Sequence, residues 1–411
     1  MDPEVRGLMR LLTPPGPALL ADLPPIHSPA DVLAITNQLR QVGHDPELIA
    51  AALTQQRLRA KAASKFGPFA ADLYYTTAGL EQATRLEVAT RHAQRFRAAG
   101  CRRIADLGCG IGAESLAFAG LGLDVLAVDM DEAHAALALL NLRQFPGVTV
   151  RQQRIEDTDL SDVDGAFADP ARRDEHGRIN HPEQWSPPLS TILGLREQVP
   201  NLGVKVAPGI HYEDLPHDAH VQWTSVQGEL VEAAIWCGEL AAEGPGRSAL
   251  VLSDAGAVAI SATAGTGAPL TDPTQPAAQV PAGELGDFIH DVDPAVLRAG
   301  ALATAADHLD AHLVSDAIAY LTSDKDAAGW AGTRSYRVTD VLPANAKKLR
   351  GELRRRHIGR IEILKRGTAV DPARLRKQLA LKGEESATLI MTRVQGRHSA
   401  LLVERGVSVS A

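Results

Sequence analysis

The amino-acid sequence predicts an α/β protein in which a doubly wound, mostly parallel sheet is followed by a small, basic α/β domain. Three observations lead to this class. From residue 103 onward, short apolar segments alternate with helix-forming ones, and a glycine-rich loop joins the first such strand to the first such helix. Two further strand segments flank a short turn near residues 220–238, and a linker rich in Ala, Gly, Thr and Pro follows them.

Composition limits the class of protein. The 411 residues exceed the usual size of one domain, and 45% hydrophobic with 22% charged residues is typical of chains that fold into globular domains. The three cysteines, Cys101, Cys109 and Cys237, form no C-x-x-C pair, which argues against a disulfide framework, a structural zinc site or an iron–sulfur cluster. We expect no metal. An acidic amino terminus and short apolar runs favour a cytoplasmic protein with no membrane segment.

The first 98 residues are expected to be helical. Apolar side chains recur at three- and four-residue spacing over 30–42, 46–63 and 80–98, among residues of high helix propensity. The texture of the whole chain predicts the following divisions: an N-terminal helical region over 1–70, an α/β body over 71–262, a linker over 263–286, a helical connector over 287–330 and a basic α/β domain over 331–411.

The α/β body is expected to contain five apolar strands and a closing hairpin. The strands are predicted at 103–107, 124–129, 148–150, 164–169 and 202–206. The segments 220–226 and 230–238 are predicted to pair as an antiparallel hairpin.

A glycine-rich loop, Asp106-Leu-Gly-Cys-Gly-Ile-Gly-Ala-Glu, follows the first of these strands and opens a helix. Glycines in this context let a ligand approach the backbone at a helix N-terminus. The loop also satisfies the G-x-G-x-x-A pattern of dinucleotide sites, but the Asp106 carboxylate would repel a pyrophosphate and attract a cation such as the ammonium of S-adenosylmethionine (SAM). Asp129 ends the second strand, where a carboxylate accepts hydrogen bonds from ribose hydroxyls in either kind of cofactor.

The segment Asp169-Pro-Ala-Arg-Arg follows the fourth strand, at the edge where open α/β sheets bind ligands. A carboxylate beside the carbonyl of Pro170 could accept hydrogen bonds from an NH group and orient its nitrogen for methyl transfer. Arg172 and Arg173 would then be available for a phosphate or a carboxylate.

The glycine-rich loop resembles motif I of the class I SAM-dependent methyltransferases, whose Rossmann-like seven-stranded sheet ends in an antiparallel hairpin. This resemblance implies that Asp106, Gly108, Gly110 and Gly112 surround the methionine part of SAM. It also implies that Asp129 holds the ribose and that Met130 contacts the adenine. Many members carry an acidic residue for the adenine amine after the third strand, whereas this chain has Arg154 near that position. The adenine contact of Ile155 is therefore assigned more loosely.

The Asp169 segment is similar to the Asp-Pro-Pro-Tyr and Asp-Pro-Pro-Arg motifs of nucleic-acid methyltransferases, although it is identical to neither. Three further segments join it: Leu80-Glu-Gln-Ala-Thr, Lys205-Val-Ala-Pro-Gly-Ile and the tryptophan-flanked segment 223–236, of which the last is, with the Asp169 segment, the narrower signal. Together they resemble a bacterial group of class I methyltransferases with a C-terminal THUMP-like domain. THUMP domains are associated with RNA-modifying enzymes, so the resemblance implies an RNA substrate, tRNA or rRNA.

The distribution of charge also separates the C-terminal domain from the rest of the chain. Residues 331–411 hold 18 Lys and Arg against 7 Asp and Glu, whereas the whole chain has a net charge of −8. The predicted helix over 344–356 contains Lys347, Lys348, Arg354 and Arg355, a density of positive charge that suits a phosphate backbone. Four strands are expected around residues 335, 361, 387 and 399, with a second helix over 372–381.

The function that these observations favour is SAM-dependent methylation of a nitrogen on an RNA base. Two alternatives stay open: a methyltransferase for a small molecule or a protein, and an RNA-binding protein that holds SAM without turnover. The amino-acid sequence does not indicate an oligomeric state.

Overall fold

The computed structural model describes residues 3–26, 28–171, 173–174, 177–179, 181–327 and 329–405. The chain divides into two compact units, one formed by residues 1–205 with 237–242 and the other by residues 206–236 with 243–411. None of the helices in these described segments is long and apolar enough to cross a membrane.

The described residues of the first unit form nine α-helices. They are α1 (Pro3–Leu11), α2 (Gly16–Asp22), α3 (Pro29–Gln41), α4 (Pro46–Phe66), α5 (Thr77–Gln82), α6 (Leu86–Ala98), α7 (Ala113–Gly120), α8 (Glu132–Asn141) and α9 (Leu189–Gly194). The local sequence explains where helices α3 and α4 begin. Ser28 and Asp31 form a reciprocal capping box on α3, and the Asp45 side chain caps α4, each followed by a proline at the first helical position.

The single helix predicted over 80–98 is wrong, because the chain leaves helical geometry at Ala83 and resumes it at Leu86. The Lys65 ammonium explains the break: it donates to the carbonyl oxygens of Leu80, Glu81 and Ala83 at 2.8, 2.9 and 2.8 Å. An uninterrupted helix would use the same carbonyls for its own N–H groups.

Seven strands begin in the first unit: β1 (Arg103–Leu107), β2 (Asp124–Asp129), β3 (Val148–Gln152), β4 (Gly165–Ala168), β5 (Arg173–Asp174), β6 (Gly177–Arg178) and β7 (Leu202–Val206). The order β7-β4-β1-β2-β3 is parallel throughout. Strands β1, β4 and β7 are almost entirely buried, as apolar runs in a parallel sheet predict.

The second unit begins with four strands in the order β11-β10-β8-β9: β8 (His220–Val226), β9 (Glu229–Trp236), β10 (Gly246–Ser253) and β11 (Gly256–Ser261). Strands β8 and β9 form the predicted hairpin, with positive φ at both Gln227 and Gly228 of its two-residue turn. Strands β10 and β11 were not predicted. They form a second hairpin, in which the alanine-rich strand β11 gives only a weak strand pattern in the sequence.

A seven-stranded sheet completes the second unit, in the order β13-β14-β12-β15-β18-β17-β16. Its strands are β12 (Phe288–Val292), β13 (His312–Ser315), β14 (Ile318–Ser323), β15 (Thr333–Pro343), β16 (Ile358–Lys365), β17 (Glu385–Val394) and β18 (Arg397–Arg405). The helices are α10 (Pro294–Ala299), α11 (Leu302–Leu309), α12 (Ala346–Arg355) and α13 (Pro372–Leu379).

The connector predicted as helical over 287–330 also contains β12, β13 and β14, so that part of the prediction is wrong. Within this connector, helix α11 ends at Leu309, because Asp310 adopts a left-handed conformation that stops the helix. The following segment then forms a hairpin between β13 and β14.

The two faces of this sheet have separate apolar cores. Leu349 and Leu353 of α12 and Leu375 and Leu379 of α13 pack on one face. In each helix the two leucines are four residues apart, so they share a face and the intervening polar residues turn outward. The basic side chains predicted on the first helix therefore lie on the outer surface of a helical layer.

Candidate active site

The carboxyl ends of β1, β2 and β4 lie side by side. Leu107 of β1 pairs with Val128 of β2 on one side and with Ala168 of β4 on the other. Each strand ends at a segment that the sequence predicted to be functional: the glycine-rich loop after β1, Asp129 and Met130 at the end of β2, and Asp169 with Pro170 after β4. The parallel register therefore brings three predicted groups to one edge of the sheet.

The glycine-rich loop is held against the second strand by backbone hydrogen bonds. The amides of Gly108 and Cys109 both donate to the carbonyl of Val128, at 2.8 and 2.9 Å. The amide of Gly110 donates to Asp129 Oδ2 at 2.8 Å. Gly112 caps α7 at φ 89°, a left-handed conformation that favours glycine. The loop thus leads directly into the N-terminus of α7, as predicted.

Asp106 is fully buried at the end of β1. Its Oδ2 accepts a hydrogen bond from the Ser115 hydroxyl at 2.5 Å, whereas Oδ1 has no hydrogen-bond partner among the described residues. Burial raises the pKa of Asp106 to about 8, and the hydroxyl of Ser115 offsets only part of this shift. In the ligand-free protein Asp106 is therefore mostly protonated at pH 7.

Asp129 uses both carboxylate oxygens to organise the loop. Oδ2 accepts from the Gly110 amide, and Oδ1 accepts from the Asp131 amide at 2.9 Å, with the His134 ring at 3.8 Å. Burial alone would raise the pKa of Asp129, but these hydrogen bonds and His134 lower it below its usual value. Met130, the next residue, is 58% exposed, which is unusual for a large apolar side chain in a folded protein.

Ile155, predicted more loosely at the adenine, lies half-buried in a short 3₁₀ turn that follows β3. Arg154, just before it, forms an exposed ion pair with Glu156 at 2.7 Å.

The backbone of Asp169 packs directly against the glycine-rich loop. Its amide donates to the Leu107 carbonyl at 2.9 Å, and its own carbonyl oxygen would lie 2.6 Å from a Cβ atom added at Gly108. Gly108 therefore has to lack a side chain for these two backbones to approach. Beyond Pro170, the backbones of Ala171 and Ser186 exchange two hydrogen bonds of 3.0 Å. The Asp-Pro segment is consequently anchored on both sides.

Lys205 is the site residue that sequence reasoning missed. Its ammonium lies 2.9 Å from Asp169 Oδ2 and 2.9 Å from the Thr84 hydroxyl, and the side chain is only 7% exposed. The signal was present in the sequence: a lysine in the otherwise apolar strand β7 needs an anionic partner. Ala168 pairs with Val204, so Asp169 and Lys205 are the next residues along the two strands.

Lys65 fixes the segment that presents Thr84. The three carbonyls that it binds come from the turn immediately before Thr84. Burial and the nearby Lys205 ammonium lower the pKa of Lys65 to about 8. The N-terminal helical region thus contributes, through α4, to the surroundings of Asp169.

The predicted substrate-binding arginines after Asp169 are only partly visible. Arg172 lies outside the described residues, and Arg173 begins the short strand β5, with its side chain not described. The basic residues predicted in the last domain are all exposed on α12. Lys347 and Lys348 have no ion-pair partner in the described part of the chain, Arg354 donates to the Ala380 carbonyl at 3.2 Å, and Arg355 pairs with Glu352.

Comparisons with known proteins agree with this architecture. A family model described as THUMP domain-like matches residues 333–405, and a model for a domain of unknown function, DUF8688, matches residues 4–62. An uncharacterized S-adenosylmethionine-dependent methyltransferase of Mycobacterium tuberculosis is 30% identical over 346 residues, which are 82% of this chain and 90% of the relative. The same similarity holds for the protein from a second strain of that species.

One solved structure shares the fold over nearly the whole chain. A candidate methyltransferase from Porphyromonas gingivalis superposes with a TM-score of 0.70 at 17% identity, covering 93% of this chain and 100% of the other. The prediction of a Rossmann-like α/β methyltransferase fold with a small C-terminal α/β domain is confirmed.

The residues at the sheet edge fit SAM. Asp106 Oδ1 is an acceptor that lacks a donor, and the glycine backbone beside it leaves no side chain in the way of a ligand. Met130 exposes an apolar surface next to Asp129, where an adenine ring would otherwise meet water. SAM supplies an electrophilic methyl group on a sulfonium, so the protein itself needs only to bind and orient the two reactants.

Binding of SAM should release a proton from Asp106, because a cationic ammonium favours the ionised carboxylate whereas burial favours the neutral acid. Between pH 5.5 and 7 the affinity should rise with pH, by up to about tenfold per unit. Calorimetry at pH 7 in phosphate and in Tris should give different apparent enthalpies for wild type and for the exposed control Asp162→Asn, and equal ones for Asp106→Asn. Equal enthalpies for wild type would assign Asp106 a purely structural role with Ser115.

The same pKa shift has a defined effect on the ligand-free protein. The folded form binds more protons than the unfolded form between the usual Asp pKa and about 8, so the contribution of Asp106 to the free energy of unfolding falls as pH rises through that range.

The sheet-edge geometry, the unpaired Asp106 oxygen and the 30% identical relative lead to one conclusion. This chain belongs to the SAM-dependent methyltransferases, as a member that carries a THUMP-like domain over residues 333–405.

Proposed function

We propose that this enzyme methylates a nitrogen atom of a base in tRNA or rRNA. The observation that carries the proposal is the combination, in one methyltransferase chain, of an Asp-Pro segment beside the SAM loop with a THUMP-like domain whose outer helices are basic. A nucleic-acid substrate accounts for both features.

The cofactor is assigned to the edge formed by the glycine-rich loop and Asp129. In this assignment Asp106, Gly108, Gly110 and Gly112 surround the methionine part. Asp129, whose oxygens still have free lone pairs beyond the bonds to the loop, accepts from the ribose. Met130 and Ile155 contact the adenine on its apolar faces.

Asp169 and Pro170 are assigned to the acceptor nitrogen. The Asp169 carboxylate and the Pro170 carbonyl accept hydrogen bonds from the NH group, which directs the nitrogen lone pair towards the methyl carbon. As the nitrogen–carbon bond forms and the carbon–sulfur bond breaks, the nitrogen loses a proton, and the Asp169 carboxylate is the nearest acceptor in this assignment. Lys205 stabilises the carboxylate through the 2.9 Å ion pair and keeps its position fixed.

The helical layer of the THUMP-like domain supports the RNA part of the proposal. Lys347 and Lys348 on α12 and a second group on α13, Arg374, Arg376 and Lys377, are exposed. The leucines of both helices pack on the same sheet face, so these charges lie on the outside of one layer. Such a surface binds phosphates without reading the base, and its affinity falls steeply with salt.

A labelling experiment tests the proposal. Radiolabelled methyl from SAM is offered at low salt to total RNA from a strain that lacks this protein, with wild-type enzyme and with Asp169→Ala. Label on RNA with wild type alone, followed by recovery of an N-methylated nucleoside after digestion, is the expected result. A SAM-dependent thermal shift without any labelled RNA would contradict the proposal and direct the search to small molecules and proteins.

Replacing Lys347 and Lys348 together by Gln should weaken RNA binding without changing SAM binding. Each phosphate contact removed should reduce the slope of log affinity against log salt by about 0.7–0.9. For the double variant, the magnitude of this slope in a filter-binding titration should therefore fall by between one and two such increments. The matched control is Arg298→Gln with Lys325→Gln, two exposed cations elsewhere in the same unit. An equal fall of the slope with this control would show that α12 is not a specific RNA-binding surface.

A further inference from the structure

A charged cleft of about 530 Å³ lies within the second unit, and none of its described lining residues is assigned above to the cofactor or to the methyl acceptor. Its walls come from the turns of the two hairpins β8–β9 and β10–β11 and from strands β12 and β15. The charged groups on these walls are Asp254, Asp291, Asp293, Arg334, Arg366 and Arg405, and Asp254 accepts from the Gln227 side-chain amide at 2.8 Å. The volume is within the range that small-molecule and nucleotide sites occupy.

The acidic side of the cleft is rigid. Asp291 Oδ1 lies 2.9 Å from the Arg366 guanidinium, and Arg366 also donates to the Ala319 carbonyl at 2.7 Å. Asp293 Oδ1 accepts from the Ser225 hydroxyl at 2.6 Å and from the Ala295 amide at 2.8 Å. Both of these hydrogen bonds fall on Asp293 Oδ1, in the cap of α10. Asp291 is paired in register with Arg334 across strands β12 and β15, so it is the carboxylate of this wall that lies beside the basic side of the cleft. Its Oδ2 takes no part in the ion pair with Arg366 and can accept from a ligand.

The basic side of the cleft is preorganised by a glycine. Arg334 is exposed and donates one hydrogen bond, to the Gln227 carbonyl at 3.0 Å. Its Nη2 would lie 2.4 Å from a Cβ atom added at Gly228, so the glycine provides the space in which the guanidinium rests. A guanidinium has five N–H donors, and within the ranges of the chain that the structure describes most of those of Arg334 have no acceptor and can bind an anion. Arg405, 70% exposed and 3.2 Å from Glu362, provides a second cation.

A ligand for this cleft has to offer an anion to the arginines and hydrogen-bond donors to a carboxylate. A nucleotide has both, in its phosphate and in the amino group of adenine, cytosine or guanine. Uracil has no amino group. Its one donor on that edge, N3–H, lies between two carbonyl oxygens, which repel the Asp291 carboxylate. Trp330 at the rim is already stacked on His308, with ring centroids 4.5 Å apart, so recognition would use base edges rather than stacking.

We propose that this cleft binds one nucleotide of the RNA substrate, with the phosphate on Arg334 and Arg405 and an amino-bearing base on Asp291. The inference rests on the proposed function, since it names a second contact on the same RNA. It gives the enzyme a preference for adenine, cytosine or guanine over uracil at a position that is not the methylated one.

Nucleotide binding to the full-length protein tests the cleft without reference to catalysis. Calorimetric titration with AMP, CMP, GMP and UMP should give measurable binding for the first three and at least tenfold weaker binding for UMP. Arg334→Gln should weaken the first three at least tenfold. Arg337→Gln, an exposed arginine three residues further along β15 that does not line the cleft, should leave binding unchanged. Asp291→Asn should reduce the discrimination against UMP at least fivefold.

A competition experiment distinguishes the source of the nucleotide. A short single-stranded RNA should displace the preferred mononucleotide from wild type, and this displacement should be lost in Arg334→Gln. Failure of the RNA to displace it would overturn the inference in favour of a free nucleotide ligand. Absence of binding by any mononucleotide, or equal binding of UMP, would also overturn it. The labelling experiment above is independent of these readouts. Labelled RNA without nucleotide binding would overturn only the nucleotide-binding role of the cleft. Nucleotide binding without labelled RNA would overturn the proposed RNA substrate.

Discussion

Asp169→Asn is expected to lower kcat for methyl transfer by about 10²- to 10⁴-fold, the range for removal of a group that acts on the proton of the reacting atom. The amide retains one acceptor oxygen but replaces the other with an NH₂ group, which cannot accept the proton and repels the NH of the acceptor. The size of the side chain is unchanged, so the backbone hydrogen bond from Asp169 to Leu107 and the packing against Gly108 should remain. Methyl-transfer rates under single-turnover conditions give the measurement.

The affinity for SAM separates this effect from damage to the cofactor loop. It should be the same in Asp169→Asn and in wild type by calorimetry, because the substitution leaves the loop backbone intact. Asp124→Asn, at the amino end of β2, is the matched control and should retain full activity. If Asp169→Asn keeps more than a tenth of wild-type kcat, the carboxylate is a structural element of the Asp-Pro turn and not a catalytic residue.

Lys205→Met is expected to have the second largest effect, a loss of about 100-fold in kcat, which is the scale for a displacement of about 1 Å in a reacting geometry. Methionine fills a similar volume in the buried strand but removes the ammonium that joins Asp169 to Thr84. The Asp169 side chain then loses its ion-pair partner and the geometry that the partner imposes. Lys61→Met, which replaces an exposed lysine of α4, should leave kcat unchanged.

A double-mutant cycle identifies the route of this effect. If Lys205 acts through Asp169, the variant with both Asp169→Asn and Lys205→Met should be no slower than Asp169→Asn alone, because the lysine has no carboxylate left to position. Losses that multiply in the double variant would show that Lys205 contributes by another path, such as the overall stability of β7.

The groups at the sheet edge were predictable because their signals are local. The glycine-rich loop, Asp129 and Asp169 each follow an apolar strand within one or two residues, and parallel order then makes them neighbours. Lys205 was not predicted as part of the site, since its role depends on the pairing register of β4 with β7. The break at Ala83 was missed for the same kind of reason, because a side chain from a distant helix takes the carbonyls that a helix would use.

The prediction for the second unit was accurate for the segments in which a helical or strand pattern continues over many residues. Helices α12 and α13 and strands β15 to β18 lie where the sequence indicated them. The error in the connector over 287–330 arose because alanine-rich segments satisfy helical periodicity as well as strand alternation. The left-handed residue Asp310 then ends α11 before β13 begins. The cleft at Asp291 could not be predicted, since it combines turns and strands that are far apart in the sequence.

The contact between Gly108 and the carbonyl of Asp169 has a consequence for how this enzyme can diverge. A residue with a side chain at position 108 would push away the backbone that carries the acceptor segment, although it belongs to the loop assigned to the cofactor. Changes that adapt the enzyme to a new methyl acceptor must therefore preserve a backbone position that the cofactor loop also dictates. Substrate range can diversify through side chains around this junction, in the segment after Pro170 and on the helices α12 and α13 that we propose to bind RNA. The contact between Gly108 and the Asp169 carbonyl itself has to stay unchanged.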